Sequence, residues 1–171
     1  MTNKTLALAA MERIMKKAGV PVLPGTDECI TSDNPKLFKI AKRIGYPVIV
    51  KASAGGGGRG IRIVQSEKAL KNAIVTAQAE AKAAFNNSGV YIEKYIEEPK
   101  HIEFQILADI KGNVVSFPER DCSIQRRHQK LIEESPSLIL EKLRKRMAHY
   151  ARLAAKAVKY FTAGTIEFLV D

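Results

Sequence analysis

Pro47-Val48-Ile49-Val50-Lys51-Ala52-Ser53-Ala54-Gly55-Gly56-Gly57-Gly58-Arg59-Gly60-Ile61-Arg62-Ile63-Val64 is the stretch that decides the fold. Two short β-branched runs, Pro47 to Lys51 and Ile61 to Val64, flank a glycine tract and read as strands joined by a hairpin. Gly55, Gly57 and Gly60 satisfy the spacing of the dinucleotide-binding fingerprint, but that motif must open a helix, and a strand pattern follows here. The phosphate-loop motif fails as well, because no Lys-Ser or Lys-Thr pair follows the last glycine. What remains is a glycine-rich hairpin, a flexible cover whose unhindered N–H groups can close over phosphates as in kinase-type nucleotide sites. Lys51 ends the entering strand, where its ammonium can reach a phosphate oxygen. The competing reading is a surface turn beside a solvated lysine; the entropic cost of consecutive glycines weighs against it.

Working outward, Leu8, Met11, Met15 and Ala18 are spaced for one face of a helix that Gly19 and Pro21 end. Asp33 or Asn34 is expected to cap a second helix, with Leu37, Ile40, Ala41 and Ile44 on one side. Ser66 starts a long helix with Leu70, Ile74, Ala77 and Ala81 inward, and Val90 to Lys94 reads as the next strand. From His101 to Ala108 the pattern alternates, with Ile102, Phe104, Ile106 and Ala108 on one face and His101, Glu103 and Gln105 on the other. Lys111-Gly112-Asn113 is a turn, Val114 to Glu119 a returning strand, and Leu131 to Glu133 a third strand. A basic amphipathic helix is expected over about Leu140 to Tyr160, with Leu143, Met147, Ala151, Ala154 and Val158 inward. Thr165 to Val170 closes as a strand.

The totals bound the ligand. The chain has 171 residues, 46% of them hydrophobic, enough for a packed globular core, and its apolar runs are far short of a membrane span. The expectation is a soluble intracellular protein, with Cys29 and Cys122 forming neither a disulfide framework nor a zinc site. A formal charge of +10 points to an anionic partner. Aromatics make up 6% and tryptophan is absent, so stacking platforms for single-stranded nucleic acid are scarce and a phosphorylated small molecule gains.

Several polar groups fall where such a ligand would need them. Glu93-Lys94-Tyr95-Ile96 follows an apolar strand and reads either as a strand end or as a hinge whose backbone meets an adenine edge, with Ile96 on the ring. His101 is either solvated or a donor to a nucleotide oxygen. The run Glu119 to Lys130 concentrates carboxylates, amides, an imidazole and cations just after an apolar strand, a composition for anion binding; a solvated basic loop or an RNA-binding patch is the alternative. Lys142 to Arg146 is a solvated helix face. Glu167 lies between Ile166 and Phe168, so its carboxylate faces away from the apolar side and is a candidate ligand for a divalent cation held against phosphate oxygens.

The run Gly45-Tyr46-Pro47-Val48-Ile49-Val50-Lys51-Ala52-Ser53 with its glycines, the Glu93-Lys94-Tyr95 hinge, Cys122-Ser123-Ile124-Gln125-Arg126-Arg127-His128-Gln129-Lys130 and Gly164-Thr165-Ile166-Glu167-Phe168 together resemble the biotin carboxylase family of ATP-grasp enzymes, as found in acetyl-CoA carboxylase and related biotin-dependent carboxylases. The resemblance covers essentially the whole chain. It implies an α+β ATP-grasp fold: a leading helix over residues 1–22, a glycine-hairpin lid subdomain over 23–95, and part of the larger antiparallel-sheet domain over 96–171. It further implies that Lys51, Gly57 and Gly58 contact phosphates and that Glu93, Lys94, Tyr95 and Ile96 hold adenine, with His101, Gln125 and His128 completing the ATP site. Lys130 would be the catalytic residue that binds bicarbonate, and Glu167 a Mg2+ or Mn2+ ligand. Lys4 corresponds to an upstream ATP-contacting lysine, although it sits about one helical turn farther from Gly19 than the family spacing. Ala54 stands where the family usually has another glycine.

In that family MgATP phosphorylates bicarbonate to carboxyphosphate, which carboxylates biotin carried on a protein; the partners implied are ATP, bicarbonate, a biotin carboxyl carrier protein and a carboxyltransferase, with a homodimer for the complete enzyme and neither membrane nor nucleic acid. The expected compartment is the cytoplasm, or a matrix or stroma in a eukaryote. The resemblance also leads one to expect a Rossmann-like domain before this stretch and a second metal-binding glutamate and a biotin-contacting arginine after it. The isolated chain is therefore expected to lack biotin carboxylation, which an assay with free biotin checks. The alternatives are another ATP-grasp ligase, such as a carbamoyl-phosphate-forming enzyme, and a basic nucleic-acid-binding module.

Overall fold

The computed structural model describes residues 13–54, 60–126 and 129–171, which form two compact units. The first holds Leu23–Ile96; the second holds Ile14–Val22 and Glu97–Asp171.

In the first unit a three-stranded antiparallel sheet has β1 (Val48–Ala52) between β2 (Ile61–Val64) and β3 (Val90–Lys94). The glycine-flanking runs do pair as a hairpin, Val48 opposite Val64 and Lys51 opposite Ile61. Gly60 closes it with φ +70°, and its carbonyl accepts from Ala52 N at 2.9 Å; a Cβ there would lie 2.7 Å from the Ala52 Cβ. Only glycine takes this conformation and this contact without strain. Helices α1 (Leu37–Ile44) and α2 (Glu67–Phe85) contribute Leu37, Ala41, Leu70, Ile74 and Ala77 to one core with Val48, Val50, Val64, Val90 and Ile92. The i, i+3, i+4 spacing of Leu70, Ile74, Ala77 and Ala81 puts these four on the covered face of α2, whereas Val75 is exposed. Asn34 does not cap α1 directly. Its carboxamide oxygen accepts from Lys36 N at 2.9 Å, so Pro35 and Lys36 complete a turn before the helix starts at Leu37.

In the second unit β4 (Lys100–Ala108) is central, with β5 (Val114–Asp121) and β8 (Thr162–Val170) antiparallel on either side. Helix α3 (Glu141–Ala157) covers one face, where Met147, Ala151 and Ala155 pack on Ile102, Phe104 and Ile106. Phe168 meets Phe104 edge to face at 5.9 Å. The other face carries the polar residues of the alternating pattern. A short hairpin, β6 (Gln125–Arg126) with β7 (Gln129–Lys130), lies in the segment after β5. The strand expected at Leu131 to Glu133 does not form: those residues are irregular, and only Glu134 bridges back to Asp121. The apolar pair Leu131 and Ile132 was the misleading signal; both side chains are exposed. No helix among the described residues is long and apolar enough to cross a membrane.

The polar cluster expected at Glu119 to Lys130 is divided by a β-bulge. Ile106 pairs with Ser116 but Phe104 pairs with Glu119, so β5 spends three residues where β4 spends two. Pro118, which has no N–H to give a ladder, lies in the extra length. The shift turns Glu119 to the covered face and Arg120 to the polar one. Glu119 is therefore not part of the polar site: it is 0% exposed, and its Oε1 accepts from Ser137 Oγ at 2.8 Å and Arg144 Nε at 2.7 Å.

Candidate functional site

In the first unit the sheet face away from α2 carries Lys51 and Glu93. Ile49 is opposite Glu93 and Lys51 opposite Tyr91, so the two charged residues sit diagonally on one face. Lys51 Nζ donates to Glu93 Oε2 at 2.5 Å, and Lys51 retains 28% side-chain exposure against 11% for Glu93. The carboxylate thus fixes the ammonium at the mouth of the glycine hairpin while leaving it reachable. Lys94 points elsewhere: its Nζ donates to the carbonyls of Gly45 and Tyr46, each at 3.0 Å, which ties the loop before β1 to the end of β3. Lys94 N bonds Pro24 O at 2.7 Å and Tyr95 N bonds Pro47 O at 3.1 Å. Both amides are spent on the fold, so Ile96 N–H is the next donor that a ring edge could meet.

In the second unit the polar face brings four expected residues together, His101, Gln125, Lys130 and Glu167, around two that the sequence reading left without a role, Glu103 and Arg120. Glu103 stands opposite Arg120 on β5 and opposite Glu167 on β8. It is 2% exposed, and its carboxylate accepts from Arg120 Nε at 2.5 Å through one oxygen and from Lys130 through the other. Lys130 also donates to Glu167 Oε1 at 2.6 Å. A carboxylate this buried needs such partners. Burial raises the Glu103 pKa, but the hydrogen bonds from Lys130 and Arg120 outweigh it and hold the group below the ordinary glutamate value. Desolvation likewise pulls Lys130 down, and its bonds to Glu103 and Glu167 overcome this, leaving the ammonium above the ordinary lysine value.

His101 is oriented by Gln125. Gln125 Nε2 lies 2.6 Å from His101 Nδ1 and donates to Cys122 O at 2.9 Å, and the Cys122 carbonyl identifies this end of the amide as the NH2 end. His101 Nδ1 is then the acceptor, and a neutral ring carries its hydrogen on Nε2. That nitrogen is buried with no hydrogen-bond partner among the described residues; Glu167 Oε2 is 3.5 Å away, outside hydrogen-bonding geometry. It is a donor without an acceptor, suited to a ligand oxygen. Cys122, beneath it, is fully buried, and burial followed by the Glu103 charge pushes its thiol up, so it is inert as a nucleophile.

Lys4, Gly57, Gly58 and His128 lie outside the described residues. Glu103 was legible in one respect only: it is a carboxylate in the middle of an alternating strand, on the face shared with His101 and Gln105. Glu103, Cys122 and Glu133 bring ligand atoms within 4.8 Å of one another. Both Glu103 oxygens are already bonded to cations and the thiol is buried, so this trio does not suit a metal. Glu167 does: its side chain is 51% exposed and it offers hard carboxylate oxygens. Mg2+ characteristically takes one or two carboxylates and fills its remaining positions with phosphate oxygens and water.

Residues 9–171 match the model of the family described as "Carbamoyl-phosphate synthase L chain, ATP binding domain". Among curated proteins, the chain is 53% identical to a biotin carboxylase of Haemophilus influenzae, over 100% of this chain and 38% of that protein. Among solved structures, a biotin carboxylase–β-γ-ATP complex from Campylobacter jejuni is similar at TM-score 0.90 and 52% identity, covering 100% of this chain and 37% of that one. The biotin carboxylase domain dimer of Hydrogenobacter thermophilus 2-oxoglutarate carboxylase, in complex with MgADP, ADP and bicarbonate, is similar at TM-score 0.87 and 51% identity, covering 95% of this chain and 36% of that one. The chain thus spans less than two fifths of the length of these relatives.

Proposed function

Because the chain belongs to the carbamoyl-phosphate synthase L chain, ATP-binding domain family, we propose that it is the ATP-binding segment of a biotin carboxylase, working in MgATP- and bicarbonate-dependent carboxylation of carrier-bound biotin. The observation that carries this reading is His101 Nε2, without a partner among the described residues, with Lys130 bonded to Glu167 nearby: a donor, a cation from the short hairpin and a metal-competent carboxylate meeting at one sheet face. The complexes of similar proteins with a nucleotide and with bicarbonate support it. The run from Gln125 to Lys130 favours the biotin carboxylases over carbamoyl-phosphate-forming ligases within the family.

The residues divide the work by chemistry. Lys51, held by Glu93, meets a phosphate, and the glycine hairpin with Gly57 and Gly58 closes over the polyphosphate and excludes water. Glu93 to Ile96 hold adenine, and Lys4 and His128 belong to the same ATP site. His101, aimed by Gln125, donates to a nucleotide oxygen. Lys130 holds bicarbonate, an oxygen of which attacks the γ-phosphorus as ADP leaves. Glu167 would hold Mg2+ or Mn2+, which offsets charge on the transferring phosphoryl group. Since there is little covalent chemistry for the protein in such a transfer, positioning and electrostatics supply the rate. Biotin on its carrier, the carboxyltransferase, a homodimer and a role in fatty acid synthesis in cytoplasm, stroma or matrix belong to the same proposal for the whole enzyme.

Calorimetric titration of the folded 171-residue chain with MgATP, MgGTP and a short RNA at two salt concentrations tests the reading. Saturable binding with ATP preferred over GTP is expected. Steeply salt-dependent RNA binding without nucleotide competition would replace it with a nucleic-acid module.

A further inference from the structure

Lys130 is bonded to two carboxylates of unequal standing. Glu103 is buried, with 3% side-chain exposure, and is also bonded by Arg120, so it cannot leave without stranding a charge. Glu167 is half exposed, at 51%, and among the described residues no second lysine or arginine pairs with it: its other oxygen faces His101 Nε2 at 3.5 Å without a hydrogen bond. Glu103 and Glu167 are also direct cross-strand partners on the same face of β4 and β8. Like charges in that position repel, and the Lys130 ammonium between them is what makes the pairing tolerable.

We propose that Lys130 is a shared counter-ion, displaced from Glu167 when a divalent cation takes that carboxylate, so that cation uptake frees an ammonium hydrogen for an anion while Glu103 keeps Lys130 in place. This rests on the preceding reading of Lys130 and Glu167 and adds a coupling between their two ligands. With Glu167 on Lys130, two cations, Lys130 and Arg120, face three carboxylates, Glu103, Glu167 and Glu133, and an anion finds no surplus positive charge. A divalent cation on Glu167 adds two positive charges to these five groups, and the site becomes net positive. An ammonium has three hydrogens, so Lys130 can keep its Glu103 bond and offer another to an incoming oxygen. Bicarbonate binding should therefore depend on the cation, and by linkage the cation should bind more tightly in the presence of bicarbonate by the same factor. Glu103 is thus a positioning residue, and Glu167 both holds the cation and masks the anion site in its absence.

The test is calorimetric titration of the folded chain with sodium bicarbonate at constant ionic strength, with and without Mg2+, for the parent sequence and for Glu167→Gln, Glu133→Gln and Lys130→Met. Glu167 is half exposed, so Glu167→Gln should leave the fold intact, which circular dichroism verifies. Glu133, 3.6 Å from Arg120 Nε and with no bond to Lys130, controls for the mere loss of a nearby negative charge. The parent chain should bind bicarbonate about fivefold or more tightly with Mg2+. Glu167→Gln should bind it without Mg2+ as tightly as the loaded parent and ignore Mg2+, whereas Glu133→Gln should keep the Mg2+ dependence. Binding that Lys130→Met abolishes but that neither Mg2+ nor Glu167→Gln alters would overturn the coupling and leave the bicarbonate role of Lys130 standing. No bicarbonate binding, or binding indifferent to Lys130→Met, would overturn that role and the coupling with it.

Discussion

Phe104 and Glu119 face each other across β4 and β5, and they do so because β5 carries one residue more than β4 between this pair and the pair Ile106–Ser116. That single bulge sets two networks at once. It sends Glu119 inward to Ser137 and Arg144, and it sends Arg120 outward to Glu103 and so to Lys130.

Glu119→Gln keeps the shape but removes the charge that Arg144 and Ser137 answer. Bonds to charged groups contribute about 1.5–3 kcal/mol each, and Arg144 keeps 27% exposure and can recover solvation. A loss of about 2 kcal/mol is expected in urea-induced unfolding, with no change in bicarbonate affinity.

Glu103 and Glu119 give stability a defined acid limb. Burial opposes ionisation of both, yet hydrogen bonds from Lys130 and Arg120 to Glu103, and from Arg144 and Ser137 to Glu119, hold both below the ordinary value of 4.5. A carboxylate with a depressed folded-state pKa contributes stability that is fully present above the unfolded value and is lost as pH falls through the folded one. Denaturant midpoints should therefore be flat from neutrality down to about that value and fall below it. The Glu119→Gln variant should show a shallower fall.

Gly60→Ala tests the hairpin. The residue has φ +70°, and the new Cβ would stand 2.7 Å from that of Ala52. The left-handed conformation alone costs about 1–2 kcal/mol for an L side chain, and the contact with a backbone-bound methyl adds to it. A lower urea midpoint than the parent chain is expected, together with weaker MgATP binding because the hairpin closes in the wrong geometry.

Lys51→Met removes the ammonium that Glu93 holds at 2.5 Å. One lost charge-assisted bond of about 1.5–3 kcal/mol corresponds to a roughly tenfold or greater weakening of MgATP binding. Calorimetry should find that loss together with a lower unfolding midpoint, since the Glu93 carboxylate, 11% exposed, is left without its cation.

The parts of this fold that obey a simple period were legible in the sequence. Leu70, Ile74, Ala77 and Ala81 announced α2, and Ile102, Phe104 and Ile106 announced the covered face of β4. Lys51, His101, Gln125, Lys130 and Glu167 were picked out from composition, placement and family resemblance, and of the last four Gln125 and Lys130 reach from the short hairpin to His101 and Glu167 on the sheet. What the sequence hid was parity. Pro118 shifts the alternation of β5 by one, so Glu119 resembled a site residue and is a buried anchor, while Arg120 gained a role no periodicity assigns. Glu103 was hidden for a different reason: a buried carboxylate is recognised only by its cations, one 17 residues away and the other 27, which the fold brings to it.

The most direct test of the account is to follow the backbone amides and the His101 ring of the isotopically labelled chain by NMR during titration with MgATP. Saturable shifts at Lys51, Glu93 to Ile96, His101 and Gln125, with His101 Nε2–H becoming protected from exchange with water, are predicted. Saturable binding that leaves His101 and Lys51 unperturbed and moves other surfaces instead would contradict the assignment of these two polar faces to the nucleotide.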